Sequence, residues 1–132
     1  MSVNDGMGRV MVVDDSNTIR RSAEIFLTLG GCKVILAEDG FDALAKIDEC
    51  TPDLIFCDIL MPRLDGYQTC AIIKRNNRFS GVPVVMLSSK DSVFDLARGR
   101  MVGAQHFITK PFTKDQLLNA VQAFSSTAQG VQ

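Results

Sequence analysis

The sequence has no tryptophan, a single tyrosine (Tyr67), a single histidine (His106) and only four cysteines. With one imidazole, and with Cys32, Cys50, Cys57 and Cys70 forming no close pair, the chain lacks the spacing of a zinc ligand set. Free core cysteines are expected instead, with Cys32 and Cys57 in strands, where a small thiol packs as a hydrophobe. No apolar run approaches the ~20 residues that span a bilayer, so membrane insertion is not expected. The opening residues MSVNDGMG have neither the basic start nor the apolar core of a signal peptide, and a cytoplasmic location is the expectation. An excess of either charge is missing too. Fourteen basic against 15 acidic residues leave a net charge of −1, which argues against nucleic-acid binding through broad electrostatics.

The 132 residues, 46% hydrophobic and 22% charged, suffice for one domain with a sizeable core. Short apolar runs bounded by polar or turn residues predict five strands, at 9–13, 32–36, 54–57, 82–87 and 106–109. Pro83 fits near the start of the fourth, where a missing N–H is tolerated. Helical spacing fills the intervals. Ser16 or Asn17 can cap the first helix, along which Ile19, Ala23, Phe26 and Leu27 recur. Gly30 and Gly31 end it, since glycine tolerates a left-handed stop. Helices follow at 40–49 (Ala43, Leu44 and Ile47 on one face), 67–76, 92–101 and 114–124. The fourth is poorly marked, and Gly99 weakens it by roughly 1 kcal/mol relative to alanine. Strands alternating with helices predict an α/β fold, a doubly wound five-stranded parallel sheet. One domain spans 9–124, between flexible polar tails at 1–8 and 125–132.

In such a sheet the carboxyl ends of the strands share one crevice. Asp14 and Asp15 follow the first strand, Asp58 the third, Ser88 the fourth and Lys110 the fifth. An Asp–Asp pair alone is more often a solvated turn, and Lys110–Pro111 alone a charge beside a turn. Together they form a site. Packed carboxylates raise one another's pKa, and a hard cation with oxygen ligands, Mg2+, relieves that conflict. Asp58 is then a nucleophile able to form an acyl phosphate. Lys110 supplies positive charge, and the Ser88 hydroxyl can donate to a phosphoryl oxygen. Ser89 is equally suited to a simple strand-end role.

VMVVDDS, IFCDILMPRLDG, VVMLSS and FITKPF, in this order, resemble the receiver domain of two-component response regulators (CheY-like) over about 9–124. DDSNTIRRSAEIFL, DGFDALAKI, MPRLDGYQTCAIIK and MLSSKDSVFDLARGRMVG are similar in particular to the stand-alone regulators of type IV pilus chemosensory systems. The resemblance implies a flavodoxin-like (βα)5 fold with strand order 2-1-3-4-5. It implies a signalling receiver rather than an enzyme. Asp58 would take a phosphoryl group from a CheA-like histidine kinase or its phosphotransfer domain. Asp15, Asp58 and the backbone carbonyl of Leu60 would hold Mg2+, with Asp14 bound through water. Ser88 and Phe107 would be the switch pair, and Pro111 a cis-proline. Phe107 stands where many members have Tyr, and Gln105 where the family usually has Asp. The output would be a downstream pilus-regulating effector protein, met by a monomer or weak dimer. Leu60 and Lys90 would flank the path of a hydrolytic water, and neither orients it, so slow dephosphorylation is expected.

Other classes fit less well. Metal-dependent phosphatases carry a second acid two residues after the nucleophile, where this chain has Ser16 or Leu60. Flavin carriers of this topology lack the acid cluster and stack the flavin on aromatic rings, whereas this chain has no tryptophan and one tyrosine, Tyr67. A receiver-like scaffold that needs no phosphate would have no use for the intact Asp14, Asp15, Asp58, Ser88 and Lys110.

Overall fold

A computed structural model describes residues 8–89 and 96–125. Five strands and five helices alternate: β1 (Arg9–Val13), α1 (Asn17–Leu29), β2 (Lys33–Ala37), α2 (Gly40–Cys50), β3 (Leu54–Asp58), α3 (Gly66–Arg75), β4 (Val84–Ser88), α4 (Leu96–Val102), β5 (His106–Thr109) and α5 (Lys114–Phe124). All neighbouring strands pair in parallel, in the order β2-β1-β3-β4-β5. This is the flavodoxin-like arrangement expected from the sequence.

Alternation along the strands divides the core in two. Met11, Val13, Ile55, Cys57 and Met86 face α2 and α3, where they meet Ala43, Ile47, Cys70 and Ile73. Val10, Val12, Phe56 and Leu87 face the other way, onto Ala23 and Leu27 of α1 and Leu117 and Val121 of α5. A sheet covered on both faces needs continuous rather than alternating hydrophobicity, which is why β3 and β4 are buried at every position. β2, at the sheet's edge, is only half-buried.

Element ends differ from the expected ones for identifiable reasons. Cys32 is buried but precedes β2, because its N–H closes the end of α1 on the Leu27 carbonyl at 3.0 Å. β4 begins after Pro83: the Val82 N–H turns back to Phe79, and proline has no N–H to give. Ser16, not Asn17, caps α1, its hydroxyl accepting from Ile19 N. Gly30 ends α1 with an ordinary φ of −84°, and Gly31 takes the left-handed turn with φ 92°. Gly30 also lies close to α5: a Cβ there would stand 2.3 Å from Leu118 Cδ2, the end of a side chain that can rotate. Gly99 lies on the buried side of α4. The beginning of the helix expected at 92–101, Lys90 and the expected tails before Gly8 and after Ser125 lie outside the described residues.

Candidate functional site

Val13 pairs in register with Cys57, and Ser88 with Thr109, so β1, β3, β4 and β5 end side by side. β1 lies between β2 and β3, and its end is the point where strand order reverses, where a parallel sheet opens a crevice. Asp14, Asp58, Ser88 and Lys110 converge there from positions up to 96 residues apart.

Asp14 is fully buried and heavily bonded. Its N–H reaches the Ala37 carbonyl at 3.2 Å, and its Oδ1 accepts from Ser16 N at 2.8 Å. Its Oδ2 lies 3.2 Å from Lys110 Nζ. The same ammonium reaches Asp58 Oδ1 at 3.0 Å, so one lysine bridges two buried carboxylates. Asp15 follows Asp14 at the strand end and is exposed, as alternation requires. Carboxylate oxygens of Asp14, Asp15 and Asp58 nonetheless all lie within 4.8 Å of one another.

The electrostatics follow from this crowding. Burial, then the negative charge of Asp14, push Asp58 up from 3.8 to about 6, against the bond and charge of Lys110. Burial also raises Asp14, although its bonds to Ser16 and Lys110 oppose the shift. For Lys110, burial alone would lower the pKa, but the bond to Asp58 and the charges of Asp14 and Asp58 outweigh it, and the net direction is upward. Three carboxylates against one ammonium leave uncompensated negative charge in a cluster made only of oxygen donors. A hard divalent cation fits that set. All four cysteines are free, and Cys57, though next to Asp58, is buried in the core.

The surrounding loops hold these groups in place. Gly66 N donates to the Ile59 carbonyl at 2.8 Å, and a Cβ on Gly66 would stand 2.3 Å from the Asp58 carbonyl oxygen. Glycine is therefore what allows α3 to begin against the end of β3. Asp65 and Gln68 form a capping box that fixes this start. Lys110–Pro111 is a cis peptide bond, as expected. Leu60 is exposed at the mouth of the site. Ser88 is buried, its hydroxyl 3.4 Å from the Ser89 carbonyl. Phe107 is half-buried against the core that α2 and α3 cover. Gln105 lies at the far end of β5, where its Oε1 accepts from Val84 N at 3.2 Å, well away from the acid cluster.

Two residues at the site escaped the sequence reading. Arg20 donates to the Asp14 carbonyl at 2.6 Å and braces the turn that carries both acids. Its position one turn after the Ser16 cap is the signal that would have found it. Arg63, in the β3–α3 loop, adopts φ 69°, and nothing in its residue type announces this.

A parallel sheet of order β2-β1-β3-β4-β5, with three aspartates and a lysine at its carboxyl edge, defines a class. The sequence matches the response regulator receiver domain family over residues 10–122, and the chain belongs to that family. Members of the family take part in two-component signalling, are phosphorylated on an aspartate and bind Mg2+ at an acidic cluster. The chain is 61% identical over 120 residues to Protein PilG of Pseudomonas aeruginosa, covering 91% of this chain and 88% of PilG. It is 36% identical over 115 residues to response regulator MprA of Mycobacterium avium, covering 87% of this chain but 50% of MprA, and so spans half of that relative. Among solved structures, chemotaxis protein CheY4 of Vibrio cholerae superposes with a TM-score of 0.83 at 32% identity, covering 88% of this chain and 97% of CheY4.

Proposed function

We propose that Asp58 is the phosphoryl acceptor of a stand-alone receiver that serves a type IV pilus chemosensory pathway, controlling twitching motility by docking an effector. The phosphoryl donor is a CheA-like histidine kinase or its phosphotransfer domain, and this places the protein in the cytoplasm. The pathway rests on the motif resemblance and on the similarity to PilG. The observation that carries the chemistry is the single ammonium of Lys110 shared by Asp14 and Asp58, with Asp15 on the open side.

An Asp58 carboxylate oxygen bonds to phosphorus as the P–N bond of the donor phosphohistidine breaks, and the imidazole leaves. Lys110 is placed to receive the negative charge that reaches the pocket. Asp14, held by Ser16 and Lys110, keeps its carboxylate aimed inward. Asp15, Asp58 and the Leu60 carbonyl would hold Mg2+, with Asp14 bound through water. Bound there, the ion would supply positive charge to the transferring oxygens. Ser88 moves its hydroxyl toward the phosphoryl group, and Phe107 turns further into the space this vacates. The chain speeds its own phosphorylation and dephosphorylation without being an enzyme in the usual sense.

The test is mass spectrometry after incubation with magnesium and acetyl phosphate. The wild type should gain one phosphoryl group, labile to hydroxylamine and mapping to Asp58, and Asp58→Ala should gain none. Full labelling of Asp58→Ala would sink the assignment.

A further inference from the structure

Arg63 stands in the left-handed region at φ 69°, which residues with a Cβ seldom occupy. Such a conformation persists only where the surroundings enforce it, and it concentrates where a loop has a task. Two contacts of Arg63, and a close approach beside it, join this loop to one neighbouring segment. Arg63 Nη2 donates to Asp39 Oδ2 at 2.8 Å. The guanidinium lies over the ring of Phe41, 5.2 Å from its centroid. Between these two residues, Gly40 abuts the same stretch so closely that a Cβ would lie 2.3 Å from Thr69 Oγ1 and 2.8 Å from Leu64 Cδ2. Asp39 is itself immobilised as the cap of α2, accepting from Asp42 N at 2.7 Å. On the other side of Arg63 the loop is tightly folded, with Leu64 N on the Pro62 carbonyl and Gly66 N on the Ile59 carbonyl, both at 2.8 Å.

The loop that begins at Asp58 and carries Leu60 is thus closed at its base by Gly66 and fastened at its tip by Arg63. We infer that Arg63 is a positioning residue: it pins the β3–α3 loop to the start of α2, so that the Leu60 carbonyl is already in place when a divalent cation arrives. This rests on the proposed reading of the metal site. An exposed arginine pair is ordinarily worth little, and the Arg63 side chain is 66% exposed. What sets this one apart is the coincidence of an ion pair, a ring contact and an unfavourable φ on one residue.

Arg63→Asn tests this, because asparagine tolerates the left-handed region yet reaches neither Asp39 nor Phe41. Asp39→Asn removes the charge partner but keeps a good helix cap. Two quantities are measured: Mg2+ affinity by calorimetry, and amide hydrogen exchange of Leu64 and Gly66 in metal-free protein. Arg63→Asn should weaken Mg2+ binding about three- to tenfold and speed exchange at both amides by a similar factor. Asp39→Asn should do the same to a smaller extent. The double variant should be no worse than Arg63→Asn, because both remove one contact. Arg63→Lys, which restores a charge opposite Asp39, should recover part of the affinity. Wild-type affinity and exchange in folded Arg63→Asn or Asp39→Asn would overturn the proposal. Asp15→Ala is the control for the underlying reading: if it binds Mg2+ like the wild type, the metal site lies elsewhere, while the exchange data still decide whether Arg63 pins the loop.

Discussion

Asp58 carries a cost that the fold accepts. An acid whose folded pKa lies above its unfolded value binds its proton more tightly when folded. Its stabilising effect is complete below the unfolded value of 3.8 and is lost as pH rises toward about 6. The interval corresponds to on the order of 3 kcal/mol against the metal-free fold at neutral pH. Asp58→Asn removes the charge and leaves Lys110 its bond to Asp14. Without magnesium, thermal denaturation should therefore show this variant melting above the wild type at pH 7.5, with the gap shrinking toward pH 4.5. Saturating Mg2+ should raise the wild type and narrow the same gap. A gap independent of pH would show that the charge of Asp58 is not the source. Leu60 raises a separate question, the lifetime of the phosphoryl group. It has no polar side-chain atom to orient a hydrolytic water, so the label should persist for many minutes in magnesium buffer, and Leu60→Asn should shorten that time. Loss within seconds from the wild type, or no acceleration in the variant, would move control of water access to another residue.

Among the elements, the start of α3 matters most to the site. Its first residue, Gly66, touches the backbone of β3, and a Cβ there would meet the Asp58 carbonyl oxygen at 2.3 Å and Ile59 Cα at 2.8 Å. Neither atom can yield without moving the loop. Gly30 is equally crowded, but its neighbours are the terminal carbons of Leu118, which can rotate. Gly66→Ala should therefore cost about 1–3 kcal/mol by chemical denaturation and impair phosphorylation, while Gly30→Ala costs less and leaves labelling intact. Equal costs, or normal labelling in Gly66→Ala, would show that this close approach is not needed. α4 stands at the other extreme. It has seven residues with Gly99 among them, and it is fastened to α3 by Arg98, which reaches Asp65 at 3.6 Å and lies 4.4 Å from the Tyr67 ring centroid. A glycine inside a helix weakens it by roughly 1 kcal/mol relative to alanine, and local opening of α4 should follow.

Under the proposed function, these parts would act together across the molecule as a switch. The acid cluster lies at the carboxyl edge of the sheet, while α4, β5 and α5 form one lateral face, where His106 stacks on Phe124 at 5.4 Å. Ser88 and Phe107 lie between the two, one at the end of β4 and one on β5. Phosphorylation at Asp58 would draw Ser88 inward and favour an inward Phe107, shifting a population rather than building a new state. Phe107 is half-buried against the core that α2 and α3 cover. Addition of beryllofluoride should shift NMR resonances of the active-site loops and of α4, β5 and α5. Shifts confined to α1 and α2 would argue for a different output route.

Much of this was legible in the residues themselves. β1, β5 and α5 begin and end where their patterns place them, because apolar runs and a helical repeat are local signals. The site acids were legible because each directly follows or closes a buried strand, and a parallel sheet gathers such positions at one edge whatever the details of packing. Not every boundary was legible: Cys32 lies outside β2 because its amide closes the end of α1 on the Leu27 carbonyl, and an apolar run does not show which way an amide turns. Nor could composition reveal that Lys110 reaches two carboxylates at once, that Asp58 is driven up toward 6 by burial, or that Arg63, at positive φ, meets both Asp39 and Phe41. Each of these depends on distances between segments far apart in the chain. Residue type and spacing determined which groups stand at the strand ends; only the packed tertiary structure decided how close they come, and with that their charge and their reach.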